Sequence, residues 1–407
     1  MFHLILVSFA LYACFPYATA APGWPGSAYG GGLVKNVTVF VPPTEWPLRK
    51  TPYARTVLLN QDCEKDEVLL TTWAQQPPGN PYWYIYESKD HGRSWSEISK
   101  AYFHATSKSG GGRIEQPYFF ELAKPVGKFP AGTILLTGNA IPADLQSTNI
   151  EVLASYDKGH SWEYVSTVAV GGAPNATNGA TPVWEPFIMM YDNQIGVFYS
   201  DQRDPAHGQK LAHQTSTDLV HWGPVVDDVA YANYTLRPGM TTIAKMGNGK
   251  YIFSYELGFA PEDPINAPYA VHYRIADSPF EFQQATPYLL KSNDGKIPSS
   301  SPYTVWTPVG GPKGTIVMSD GSFAELFINK EYGDLDSWVT VKSGHGIGYS
   351  KALTVLPDQG ESIIWLTNGG MYGFNDTIVT GGDFKVPGAP SREDTISACR
   401  GRGFTVN

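Results

Sequence analysis

Ser88-Lys-Asp-His-Gly-Arg-Ser-Trp95 returns 67 residues later (88 to 155) as Ser155-Tyr-Asp-Lys-Gly-His-Ser-Trp162, and both copies read S-x-D-x-G-x-x-W. A degenerate third copy, Ser216-Thr-Asp-Leu-Val-His-Trp222, follows after 61 more (155 to 216) and lacks the glycine. Each copy is a turn between two strands, in which Asp accepts backbone N–H groups, Gly supplies a positive φ and Trp packs beneath. A catalytic Asp90 or Asp157 is the weaker reading, because a turn Asp is satisfied locally. The boxes mark a fold and not a site.

Composition agrees with many short strands. The chain has 407 residues, 42% hydrophobic and 13% aromatic, with 42 Gly, 32 Pro and only 16% charged residues. That balance favours strands and turns over long amphipathic helices, so the fold class is all-β. A net charge of −9 argues against nucleic acid or an anionic membrane as partner and leaves a neutral ligand open. Leu4 to Phe15 form a short apolar run, and Ala18-Thr19-Ala20 before Ala21 is a small-residue cleavage site. Residues 1–20 therefore read as a secretory signal peptide, the run being too short to span a bilayer. Four acceptor sequons, at Asn36, Asn175, Asn233 and Asn375, fit an extracellular chain. Once Cys14 leaves with the signal, Cys63 and Cys399 remain, either as one disulfide or as two free thiols.

A second repeat lies between the boxes. Apolar strands begin at the pairs Gln116-Pro117, Glu185-Pro186, Arg237-Pro238 and Thr307-Pro308, with Arg55 in the matching place without a proline. Proline lacks the ladder N–H and pushes the preceding residue toward extended geometry, so each pair suits a strand's first residue. The partner strands end at Trp73, Asn139, Asp201, Glu256, Asp320 and Asn368, which a hairpin returns to the same rim. Six hairpins predict a single six-bladed β-propeller over residues 21–407, of about 64 residues per blade. The closing blade combines strands from both chain ends.

The rim then carries Arg55, Gln116, Glu185 and Asp201, Arg237 and Glu256, with Tyr118, Trp184, Tyr199, Tyr255 and Trp306 close by and Arg203 following Asp201. A solvated ring of ion pairs is the bland reading. Paired carboxylates beside aromatic faces are what a sugar-binding cleft needs, with stacking on the ring and acid/base work at the glycosidic bond. Glu185, beside Trp184 and facing Asp201 across its hairpin, is expected to have a raised pKa and act as acid/base. Glu256, facing Arg237, is expected to stay ionised and act as nucleophile. No H-E-x-x-H, G-x-S-x-G or P-loop occurs and the nine histidines are scattered, so no cofactor and no metal are expected.

The boxes resemble the Asp-box of sialidase-like propellers. Arg113-Ile-Glu-Gln-Pro-Tyr-Phe-Phe-Glu-Leu122, Thr181-Pro-Val-Trp-Glu-Pro-Phe187, Tyr199-Ser-Asp-Gln-Arg-Asp-Pro205, Arg237-Pro-Gly-Met240 and Ser254-Tyr-Glu256 resemble glycoside hydrolase family 93, the secreted fungal exo-α-1,5-L-arabinanases. The resemblance implies a retaining mechanism, release of arabinobiose from the non-reducing end of linear arabinan, and catalytic glutamates at Glu185 and Glu256. The implied partner is a polysaccharide, the arabinan side chains of pectin, met by a secreted monomer. Two other classes compete with it. A sialidase would gather Arg55, Arg203, Arg237 and Arg274 around an anionic sugar, and a sugar-binding propeller would keep the aromatics without catalysis.

Overall fold

In the computed structural model the boxes close with one set of bonds. Ser88 Oγ donates to Asp90 Oδ1 (2.8 Å) and accepts from the Gly92 N–H (2.8 Å). Asp90 Oδ1 also accepts from the Ser94 N–H (2.9 Å), and Trp95 Nε1 donates to the Gly92 carbonyl (3.0 Å). Ser155, Asp157, Gly159, Ser161 and Trp162 repeat the set at 2.8, 2.8, 2.8 and 3.1 Å. Gly92 needs its φ of 82°, and a Cβ there would enter the Trp365 ring. These bonds hold the carboxylates of Asp90 and Asp157 below the usual range against the opposing effect of burial. Asp90→Ala is expected to cost about 1–2 kcal/mol of stability. A lowered Tm with unchanged kcat checks this; a lost kcat with unchanged Tm would contradict it.

The structure describes residues 33–60, 68–261, 263–264, 267–356 and 362–389. The signal peptide, all three cysteines and the hairpin tip at 61–67 lie outside the described residues. Six four-stranded antiparallel sheets form the blades. Blade 1 holds Arg55–Leu58, Leu69–Thr72, Trp83–Ser88 and Ser96–Ala101, and blade 2 holds Gly112–Glu121, Ile134–Pro142, Thr148–Ser155 and Glu163–Gly171. Blade 3 holds Val183–Tyr191, Gln194–Asp201, Lys210–Ser216 and Val226–Val229; blade 4 holds Arg237–Lys245, Tyr251–Gly258, Tyr269–Ala276 and Tyr288–Leu289. Blade 5 holds Tyr303–Thr307, Thr315–Ser319, Glu325–Asn329 and Trp338–Lys342. In blade 6, Ala352–Leu356, Ile363–Asn368 and Val379–Lys385 are completed by Val37–Phe40 from the other end of the chain. The expected closure by both ends is therefore present. Among the described residues no helix is long and apolar enough to cross a membrane.

A single twisted sheet cannot cover its own faces, so the core lies in the seams between blades. Leu70, Trp83 and Ile85 of blade 1 pack on Ile114, Phe119 and Leu136 of blade 2, and comparable clusters fill the other seams, including Phe40 and Trp73 where blade 6 meets blade 1. Each fully buried large side chain contributes about 1.5–3 kcal/mol. That rigidity is what lets the inner rim hold strained backbone.

The inner strand of blade 4 begins at Arg237-Pro238 as expected, but the other X-Pro pairs do not start their strands, which corrects the expectation. Gln116-Pro117 and Glu185-Pro186 lie inside their strands, at β-bulges between Glu115 and Tyr118 and between Trp184 and Phe187. In blade 4 the bulge falls between Gly239 and Thr242, so Met240, not Arg237, is the equivalent residue. In blade 5, Thr307 ends the inner strand at the opposite edge and Ser301-Pro302 takes the rim place. A bulge leaves one residue outside the ladder, the one spot where a missing proline N–H does no harm.

Candidate active site

Every blade places a residue in the left-handed region at this rim: Tyr53 (φ 55°), Gln116 (62°), Glu185 (60°), Met240 (59°), Ser301 (46°, beside Ser300 at 72°) and Ser350 (57°). Non-glycine residues held this way cost about 1–3 kcal/mol each, and they persist where surrounding bonds over-determine them. Those bonds pass from blade to blade. The Glu185 N–H donates to Gln116 Oε1 (2.9 Å), the Met240 N–H to Glu185 Oε2 (2.8 Å), and the Ser350 N–H to Ser301 Oγ (2.8 Å). Met240 has no comparable acceptor to offer blade 5, and the Ser301 N–H donates instead to Glu256 Oε2 (2.6 Å). The two glutamates are thereby built into the ring.

Glu185 Oε2 also accepts from Ser200 Oγ (2.7 Å), so both of its donors fall on one oxygen. Glu256 is supported by Ser300 and Ser301, adjacent residues at φ 72° and 46°, with the Ser300 hydroxyl bonded to its carboxyl. Behind them, Asp320 accepts from the Ser299 N–H (3.1 Å) and fixes the turn. A Cβ on Gly239 would stand 3.2 Å from Glu185 Oε2 and 3.5 Å from Glu256 Oε1. Those two oxygens therefore lie at most about 7 Å apart, a limit that includes the spacing of a retaining pair. Gly239 is the gap between them.

Glu256 is buried and Glu185 half-buried, and both carboxyls are raised, but for different reasons. Burial raises Glu185, opposed by the bonds from Ser200 and Met240 and by the charge of Arg237. Burial, and then the negative charge of Glu185, push Glu256 up to about 8. Of the two, Glu256 is the one that its neighbour's charge also raises.

The register overturns the reasons for the opposite assignment. Glu256 lies opposite Gly239, while Arg237 lies opposite Gly258 and donates to Asn178 Oδ1 (2.6 Å), Gln202 Oε1 (2.9 Å) and Gln209 Oε1 (2.6 Å). Asp201 pairs with Val183 rather than Glu185, and both its oxygens accept from Arg203 (2.9 and 2.8 Å). Asp201 and Arg203 are thus partners of each other. Tyr255 is fully buried in the seam of blades 3 and 4, its hydroxyl 2.7 Å from that of Tyr231. Trp306 lies at the far edge, where its Nε1 donates to the Lys313 carbonyl (3.3 Å) and its ring leaves no room for a Cβ on Gly314. Neither belongs to the site.

Arg55, Gln116 and Tyr118 do converge with Glu185 on one cavity, joined by Tyr53 and Met240. Arg55 donates to the Ser350 carbonyl (2.8 Å) and hydroxyl (2.6 Å) and lies over the Tyr303 ring (5.1 Å). Trp184 is half-buried and held by Gln202 Oε1 (3.0 Å), the same oxygen that takes Arg237. Sequence reasoning missed Ser200, Gln202, Gln209, Gly239 and the Ser300-Ser301 turn. Ser301-Pro302 carried the same signal as Glu185-Pro186, but Thr307-Pro308 masked it. The four arginines of the sialidase reading do not gather, since Arg203 is tied to Asp201 and buried Arg274 donates to the Asp228, Phe282 and Gln283 carbonyls.

Solved structures resemble this arrangement over most of the chain. One is the GH93 α-L-arabinofuranosidase of Fusarium graminearum in complex with arabinobiose, 40% identical, covering 87% of this chain and 98% of that one with a TM-score of 0.81. Another is the α-L-arabinanase of Penicillium chrysogenum complexed with arabinobiose, 40% identical over 87% and 99% of the two chains, TM-score 0.81. The NanB sialidase of Streptococcus pneumoniae, 11% identical over 86% and 71% with a TM-score of 0.56, shares the fold alone. No protein-family profile and no curated protein sequence matches the chain.

Proposed function

Because this chain belongs to glycoside hydrolase family 93, we propose that it cleaves linear α-1,5-L-arabinan from the non-reducing end and releases arabinobiose. The observation that carries this is the pair Glu185 and Glu256, facing each other across Gly239 in a chain whose relatives are complexed with arabinobiose. Glu256 keeps its proton at neutral pH, so it is the general acid that protonates the departing glycosidic oxygen. Glu185, anchored through Oε2, attacks the anomeric carbon as its carboxylate and forms a glycosyl ester. The same Glu256, now a base, takes a proton from the water that attacks that carbon and frees Glu185, so configuration is retained. Arg237 is the one full positive charge that lowers both carboxyls, and its neutral amide partners leave that charge uncompensated. Its place is to balance the pair.

The wider setting follows from the sequence features. An apolar start that reads as a signal peptide and four sequons whose asparagines are all exposed support a secreted protein, which by this reading acts as a monomer on the arabinan side chains of pectin, with neither nucleic acid nor membrane as partner. Incubation of the mature protein with linear α-1,5-arabinan is expected to give arabinobiose as the first product. Cleavage of a sialoside, or no cleavage of either substrate, would overturn the proposal.

A further inference from the structure

Beyond the catalytic pair, one face of blade 4 carries an aromatic step that neither the chemistry nor the rim ring uses. Glu256 and Gly258 are two apart on one strand, so their side-chain positions line the same face. At Gly258 that position is filled from the neighbouring strand: a Cβ there would lie 2.6 Å from Tyr269 Cε1. The Tyr269 ring therefore lies beside Glu256, along the strand toward its outer end. It is locked in place, because its carbonyl accepts from the Ser300 N–H (2.8 Å) and its own N–H donates to Ser299 Oγ (3.3 Å), in the turn that holds Glu256. Next along the chain from Gly258, Phe259 packs against Tyr269 at 5.9 Å between ring centroids and 62° between planes. Phe259 is 59% exposed and sits at φ 64°. Phe259 thus joins exposure to a left-handed backbone beside the catalytic pair, and such strain gathers at ligand clamps.

We propose that Tyr269 and Phe259 are the binding surface for the leaving part of the substrate, the uncharged furanose residues on the reducing-end side of the scissile bond. The inference rests on the reading of Glu256 as general acid, since the acid stands on the side of the departing oxygen. Aromatic faces suit this ligand because the apolar C–H face of a sugar stacks on them without needing charge. Continuity carries the surface from Glu256 through Tyr269 to Phe259 at the mouth.

The test compares a polymer with a substrate that has no leaving chain. Phe259→Ala is expected to lower kcat/KM on linear arabinan about tenfold. Its kcat/KM on arabinobiosyl fluoride, whose leaving group is too small to reach Phe259, should stay unchanged, and Phe259→Trp should restore action on the polymer. Equal losses on both substrates, or no loss on arabinan, would overturn the platform while leaving the proposed activity intact. A wild-type protein that spares both substrates would overturn that activity and the platform with it.

Discussion

Glu256→Ala is expected to lower kcat on arabinan by on the order of 10³- to 10⁴-fold, the usual scale for loss of a general acid. The loss should shrink for a dinitrophenyl arabinobioside, whose leaving group departs without a proton. Azide should then restore turnover and give a glycosyl azide of retained configuration, since the ester on Glu185 still forms. Glu185→Ala should lose at least about 10⁴-fold with either leaving group, and azide should give the inverted product by direct attack. The stereochemistry of the two azides, read by NMR, decides the roles; exchanged outcomes would restore the assignment expected from sequence. The pH profile adds a second check. Because burial and Glu185 push Glu256 up to about 8, its acid form is present below that pH and lost above it. In the wild type kcat/KM should therefore fall as pH rises through that region, and in Glu256→Ala that limb should disappear.

Gly239→Ala is expected to lose about 10-fold in kcat/KM while keeping Tm nearly unchanged. No positive φ demands glycine here. The demand is for space, since a methyl would stand 3.2 Å from Glu185 Oε2, 3.2 Å from Gln209 Nε2 and 3.5 Å from Glu256 Oε1. All three belong to side chains held by other bonds: Gln209 Nε2 donates to the Pro238 carbonyl (2.7 Å), and Oε2 of Glu185 takes two donors. The methyl must push Glu185 Oε2 or Gln209 Nε2 aside by a few tenths of an ångström, and because both are tied down the shift disturbs the alignment that attack requires. Wild-type kcat/KM in Gly239→Ala would show that the gap between the carboxylates is not used.

The same residues show where a sequence can be read and where it cannot. The Asp-boxes were legible because the bonds that close each turn are local, within a few residues of Ser88 or Ser155, and the X-Pro pairs marked the rim because proline excludes itself from a ladder. Glu185 and Glu256 stood out as carboxylates near that rim. Asp201 and Tyr255 stood out equally, yet one is spent on Arg203 two residues away and the other on the seam between blades. Nothing local separates these cases. Register does, and a single bulged residue sets it: with Glu185-Pro186 bulged out, Asp201 falls opposite Val183.

The strand count, the closing of the ring by both ends, and the two glutamates follow from short-range pattern, because alternation, turn chemistry and proline act over a few bonds. The division of labour proposed for Glu185 and Glu256 draws on the folded rim alone. A carboxyl's proton affinity depends on burial and on charges brought near by the meeting of blades 3, 4 and 5, groups such as Ser301 that lie 45 residues away in sequence.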